Sequence, residues 1–223
     1  AYEKAIQNFE KAGNRSGLGL VYLGKRDFQK AREHFVKAND QPGLGLTYLG
    51  EHKLKEARDC FNKAGDKNGL GLVLMAENKY DEALKIFNAS KDFSQIGMVY
   101  VGKREYDKAI QSFLKVNDLC GLAIAYCGKR EFDKALVLAG NANDLSALGL
   151  AYLGKRDFDK AIEHFTKAND MSGLALAYCG KKDFQKALDY AVSTNDYSCA
   201  GMVYLGKREF DKAMDFGKTI NDL

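Results

Sequence analysis

The residues from Gly17 to Phe28, GLGLVYLGKRDF, have the makings of a phosphate cradle: Gly17, Gly19 and Gly24, then the basic pair Lys25–Arg26. A P-loop requires G-x-x-x-x-G-K-[ST], in which backbone amides and the lysine wrap the phosphates and a hydroxyl holds magnesium. Gly19, Gly24 and Lys25 meet that spacing, but the next residue is Arg26, which cannot ligate magnesium. The dinucleotide fingerprint G-x-G-x-x-G fails as well, because its third glycine would fall on Tyr22. A phosphate loop also has no use for the Leu-Val-Tyr-Leu between these glycines. Other chemistry is equally thin. His34 and His164 share one outer position of a repeated helix, more than a hundred residues apart, and with His52 they form no metal pair. No serine stands in a nucleophile-elbow context. Catalysis needs unlike residues converging in a pocket, so the expectation is no catalytic, cofactor-binding or metal-binding residues, no cofactor and no enzyme activity.

The glycine phrase recurs, and that decides its meaning. It returns as GLGLTYLGEHKL at Gly43, GLAIAYCGKREF at Gly121, ALGLAYLGKRDF at Ala147, GLALAYCGKKDF at Gly173 and CAGMVYLGKREF at Cys199, with looser copies at Gly69 and Gln95. The starts are always 26 residues apart. The units are a half repeat 1–16 and repeats 17–42, 43–68, 69–94, 95–120, 121–146, 147–172, 173–198 and 199–223. A fixed period of this kind marks a solenoid, read as a single quasi-one-dimensional domain over 1–223. The chain starts in mid-repeat and stops one residue short of a full unit, without polar capping repeats. The expectation is a fragment of a longer protein, or ends covered by a partner or by another copy.

Composition narrows the partners. Thirty-four basic against 30 acidic residues leave a net charge of +4, a mixed surface rather than a nucleic-acid-binding one. No apolar run approaches the ~20 residues of a membrane span. The five cysteines do not recur in pairs: Cys127 and Cys179 replace Leu, Met or Val, and Cys60, Cys120 and Cys199 fall at unrelated positions. They read as small buried or half-buried thiols in a reducing, cytoplasmic setting.

Two helices position all of this. Asp144 can cap an apolar helix A over Leu145–Leu153 by accepting its free first-turn amides. Gly154 then ends it, as glycine does in the left-handed conformation. Asp157 caps helix B, where Phe158, Ala161, Ile162, Phe165 and Ala168 follow the amphipathic spacing. Asp159, Lys160, Glu163, His164 and Lys167 take its outer face, and the helix ends near Asn169. Gly24, Gly50, Gly102, Gly128, Gly154, Gly180 and Gly206 share the helix-ending register, with Ala76 the exception. Gly19, Gly45, Gly71, Gly97, Gly149 and Gly201 share another, replaced by Ala123 and Ala175, which reads as a demand for close helix approach. Such short helices are marginal alone and need their neighbours.

Leu148-Gly149-x2-Tyr152 and Ala161-x3-Phe165 resemble the tetratricopeptide repeat, whose pattern runs W-x2-L-G-x2-Y, then A-x3-F, then P, over 34 residues. The resemblance covers the whole chain. It departs in period, in Leu145 where the family has Trp, and in the missing proline; the shortfall lies between Phe165 and Leu174. The resemblance implies an all-α, right-handed α-solenoid of short antiparallel helix pairs and a protein-interaction scaffold. The family's carboxylate clamp uses Lys and Asn on helix A, which is apolar here, so that ligand does not fit.

Two stripes are candidates for binding. Leu20, Leu46, Leu72, Met98, Ile124, Leu150, Leu176 and Met202 hold the helix-A register that faces the groove in the family; in a narrower superhelix they become core. Lys25, Arg26, Lys103, Arg104, Lys129, Arg130, Lys155, Arg156, Lys181, Lys182, Lys207 and Arg208 would ladder along one edge, interrupted at Glu51-His52 and Glu77-Asn78. The expected partner is a protein. The alternatives are a structural segment of a coat, transport or cytoskeletal assembly that self-associates through its terminal repeats, and an RNA or acidic partner on the basic edge. The repeats are not uniform: Phe35, Phe61, Phe87, Phe113 and Phe165 give way to Ala139, Ala191 and Gly217. The register of Arg15, Gln41 and Lys67 turns apolar from Phe93 through Leu119, Leu145 and Met171 to Tyr197. A geometric change after the third full repeat is therefore expected.

Overall fold

The computed structural model describes residues 2–193 and 197–221, without the side chains of 197–198 and 216–221. Gly217, and the side chain of Tyr197, thus lie outside the described residues. Two compact units emerge, Ala1–Asp92 and Phe93–Leu223. The first holds α1 (Tyr2–Lys11), α2 (Arg15–Gly24), α3 (Phe28–Ala38), α4 (Gln41–Gly50), α5 (Leu54–Ala64), α6 (Lys67–Ala76) and α7 (Tyr80–Ser90). The second holds α8 (Phe93–Gly102), α9 (Tyr106–Leu114), α10 (Leu119–Gly128), α11 (Phe132–Ala142), α12 (Leu145–Gly154) and α13 (Phe158–Ala168). It continues through α14 (Met171–Gly180), α15 (Phe184–Ser193), α16 (Tyr197–Gly206) and α17 (Phe210–Asn221). Even-numbered helices are helix A of the repeat and odd-numbered ones helix B. Among the described residues there is no strand, and the architecture is all-α.

Capping explains many of the helix starts, although Lys53, Lys79, Glu105 and Glu131 precede their B helices without a side-chain cap bond. Asp144 Oδ1 accepts the Ala147 amide at 2.9 Å, and Asp157 Oδ1 accepts the Lys160 amide at 3.3 Å. Asp40, Asp66, Asp118 and Asp170 make the same bond at the start of their A helices. Helix B ends on a left-handed residue supplied by Gly13, Asn39, Gly65, Lys91, Asn117, Asn143 or Asn169. Glycine and asparagine adopt that backbone most cheaply.

The end of helix A corrects the expectation. Gly24, Gly50, Gly128, Gly154, Gly180 and Gly206 close their helices without a positive φ. The left-handed residue comes two positions later, at Arg26, His52, Asn78, Arg104, Arg130, Arg156, Lys182 and Arg208. The glycine answers a steric demand instead. A Cβ on Gly50 would stand 2.8 Å from the Phe28 ring, and one on Gly206 would stand 2.8 Å from Phe184. Cβ atoms on Gly128, Gly154 and Gly180 would strike Tyr106, Phe132 and Phe158. Phe28, Tyr106, Phe132, Phe158 and Phe184, each the first residue of its helix B, thus lie against helix A of the next repeat.

Helix A packs against the helix B on either side and touches helix A of the adjacent repeat. The A layer is therefore the tight layer of each stack. The buried rings set its spacing. Phe35 is wedged between Gly19 and Gly43, Phe61 between Gly45 and Gly69, Phe113 between Gly97 and Gly121, and Phe165 between Gly149 and Gly173. At Ala139 and Ala191, two of the positions where the ring is lost, the flanking glycines are lost too. Ala139 packs on Ala123 and Ala147, and Ala191 packs on Ala175 and Cys199. Alanine in the glycine register is therefore matched to a smaller partner, which is a stricter condition than close helix approach.

Candidate protein-binding surface

Helix A presents its apolar stripe unevenly. Leu20 and Met202 are 54% and 46% exposed. Leu46, Leu72, Met98, Ile124, Leu150 and Leu176 are half-buried. Leu46 packs beside Ala57, Phe61 and Val73, Met98 beside Ala109 and Phe113, Leu150 beside Ala161 and Phe165, and Leu176 beside Ala175 and Ala191. These side chains divide their surface between the core and the A-layer face.

The basic edge resolves into two rows. Lys129 bonds Asp107 at 2.7 Å, Lys155 bonds Asp133 at 2.6 Å and Lys181 bonds Asp159 at 2.6 Å, each partner lying in the preceding repeat. Those hydrogen bonds raise the Lys129 and Lys181 ammonium pKa above the ordinary lysine value. Arg26, Arg104, Arg130, Arg156, Lys182 and Arg208 occupy the left-handed turn and are exposed. Lys25, Lys103 and Lys207 hold the lysine register of the other repeats, and Lys207 pairs with Glu209 at 3.2 Å.

The interruptions at Glu51 and Glu77 are compensated from the previous repeat. Arg32 pairs with Glu51, and Arg58 Nη2 lies 2.6 Å from Glu77 Oε1. Lys79, and then Arg58, hold the Glu77 carboxyl below its ordinary pKa. Elsewhere the Arg32 register is apolar (Ile110, Leu136, Ile162) and the Glu51 register is lysine. One contact between repeats is thus built in two charge versions.

Helix B's outer face hides a second layer of contacts. His34 stacks on Tyr22 and His164 on Tyr152 with ring centroids 5.3 Å apart, and Tyr190 stacks on Tyr178 at 5.7 Å. Lys30, Lys160 and Lys186 lie over the same tyrosines at 5.3, 5.1 and 5.1 Å. The two histidines are thus half-buried, and their register is not an outer one. Their Nδ1 atoms are buried with no hydrogen-bond partner among the described residues. Burial, then Arg15 and Lys37, lower the His34 pKa below 6.5.

Not every repeat carries the stacked ring: Cys60, Ile86 and Ser112 also hold its register. In repeat 121–146 the ring register is Leu138, which leaves the Tyr126 face open beneath Lys134, 5.3 Å from the ring centroid. Val137 stands where Glu33, Glu163 and Asp189 stand elsewhere, and Leu114 where Asn62, Asn88 and Thr166 stand. The result is a groove of about 500 Å³ lined by Leu114 of α9, Leu122 and Tyr126 of α10, and Val137 and Leu138 of α11. Asp133 and Lys134 form its rim. Leu114 is 61% and Val137 63% exposed. Sequence reasoning missed this groove, although the change from acid to valine at 137 was its visible sign.

The arrangement offers surface rather than reactive groups. Among the described residues no three His, Cys, Asp or Glu gather to hold a metal ion. No disulfide joins the cysteines among the described residues, and burial pushes the Cys127 thiol up to about 11, so it stays protonated and a poor nucleophile at neutral pH. No described helix is long and apolar enough to cross a membrane. Two segments, residues 93–120 and 145–173, match the model of the tetratricopeptide repeat. No curated protein matches the chain.

Proposed function

The chain is a tetratricopeptide-like repeat protein, and on that premise we propose that it is a non-catalytic scaffold whose protein partner docks between α9 and α11. The observation that carries this reading is the open apolar groove over Leu114, Tyr126 and Val137. Contiguous exposed apolar surface, rimmed by polar residues, is typical of protein-interaction sites. Stacked repeats then let further contacts along the surface add to the one in the groove.

The test uses residues the chain itself places at these registers. Leu114→Asn and Val137→Glu copy Asn62 and Glu163 and should leave the melting temperature unchanged. A photo-crosslinker at Val137 identifies the partner in extract. The purified partner should then bind the double variant at least about tenfold more weakly, a loss of ~1.4 kcal/mol. Equal binding by both proteins would remove the groove from the interface.

Self-association has one observation in its favour. Leu205, Phe210 and Met214 are exposed, and Phe184, the counterpart of Phe210, covers Gly206. The complement to Phe210 is thus a helix with a glycine at that register, as another repeat would present. Sedimentation at rising concentration reads this directly, and a constant monomer mass would reject it.

A further inference from the structure

Both turns of the second unit demand a left-handed residue, and they fill it by opposite rules. Between helix B and helix A it is Asn117, Asn143 and Asn169, the residue type that takes this backbone readily. Between helix A and helix B it is Arg104, Arg130, Arg156, Lys182 and Arg208, with φ of 59, 64, 63, 64 and 62°. An arginine is strained there relative to asparagine. The first unit shows that asparagine is accepted at this register, at Asn78.

In the first unit Arg26, at this register, lies 5.6 Å from the Phe28 ring centroid, whereas among the described residues of the second unit no ring contact or ion pair offsets the strain. All five side chains are exposed, and none makes an ion pair among the described residues. The helix dipole does not select them either. Lys129, Lys155 and Lys181 already occupy the C-cap. Helices α11 and α13 end in the same field yet take asparagine. What distinguishes this turn is a row of cations pointing outward, one per repeat.

We propose that this cationic row binds an acidic segment of a partner protein, the cation of each repeat, a guanidinium in all but Lys182, receiving a carboxylate. Guanidinium and carboxylate match as planar, bidentate partners. A nucleic-acid backbone suits the edge less well. Asp107, Asp133 and Asp159 stand within the same edge, and Glu131 and Asp157 immediately follow the cations. A phosphate at every nucleotide would meet those acids, whereas spaced carboxylates pass between them.

The experiment measures fluorescence anisotropy on the full chain of a labelled peptide of about twenty residues whose glutamates are spaced by Gly-Ser, with a Gly-Ser peptide of equal length as control. Changing Arg104, Arg130, Arg156 and Arg208 to Asn should weaken binding at least about tenfold and leave the melting temperature unchanged or raised. Changing Lys11, Lys37, Lys63 and Lys115 to Gln removes the same charge elsewhere and should weaken it less than about threefold. The proposal falls if glutamate binds no better than Gly-Ser, or if the lysine variant loses as much. It also falls if the arginine variant melts lower, since the arginines would then serve the fold, or if a uridine oligomer binds tighter through the same residues. The groove variants Leu114→Asn and Val137→Glu should leave this binding intact, so the two readings fail separately.

Discussion

Phe165 is held between two glycines: a Cβ on Gly149 would stand 2.5 Å from its ring, and one on Gly173 would strike the same Cδ1–Cε1 edge. Phe165→Ala should therefore cost about 3–5 kcal/mol, the loss of a buried ring plus the cavity it leaves. Gly149→Ala should cost about 1–3 kcal/mol through overpacking, because the ring has nowhere to move. The combination of Phe165→Ala, Gly149→Ala and Gly173→Ala reproduces Ala139 between Ala123 and Ala147. Urea unfolding should show the triple variant recovering part of the loss, and strict additivity would refute the coupling. His34 gives a second prediction at this scale. Burial is the largest cause of its lowered pKa, with Arg15 and Lys37 adding to it and Glu33 and Glu10 opposing. The unfolded chain then binds the proton more readily, so stability is lost as pH falls through about 6.5 toward the folded value. His34→Tyr, which copies Tyr190 on Tyr178, should flatten the melting-temperature profile between about pH 7.5 and 5. An unchanged slope would exclude His34 as its source.

Between helices, two contacts are written as matched sets. The set Gln29, Arg32 and Glu51 does the same work as Asp159, Ile162 and Lys181. Glu51→Lys alone sets two cations together and should cost about 1 kcal/mol, within the range of partly exposed pairs. Adding Arg32→Ile and Gln29→Asp should restore stability to within about 0.5 kcal/mol of the parent by chemical denaturation. A triple variant no better than the single one would show that the two sets are not equivalent. Caps were legible from sequence because an Asp before an apolar run has one obvious use. The glycines at the helix-A ends were misread because conformational freedom is a property of the residue. The ring that needs their space sits 22 residues earlier in sequence, as Phe28 does for Gly50.

As a molecule, each unit is a stack in which a repeat touches its neighbours and little else. Damage should therefore stay local. In Phe165→Ala, hydrogen exchange should accelerate in α12, α13 and α14 while α8 and α9 keep their protection. Uniform acceleration would mean the second unit opens only as a whole. The division into Ala1–Asp92 and Phe93–Leu223 falls where the register before helix A turns from Lys67 to Phe93. What the sequence determined by itself was periodic: the 26-residue unit, its two helices, their caps and the tetratricopeptide-like pattern. Those follow from local hydrogen bonding and from hydrophobic spacing along a single helix. What only the tertiary structure decided was neighbourhood. It seats each phenylalanine between glycines, ties the edge lysines to aspartates one repeat back, leaves the arginines outside, and opens the groove at Tyr126. Each of these depends on which side chain of one repeat meets which of the next, and that is settled by how the helices stack.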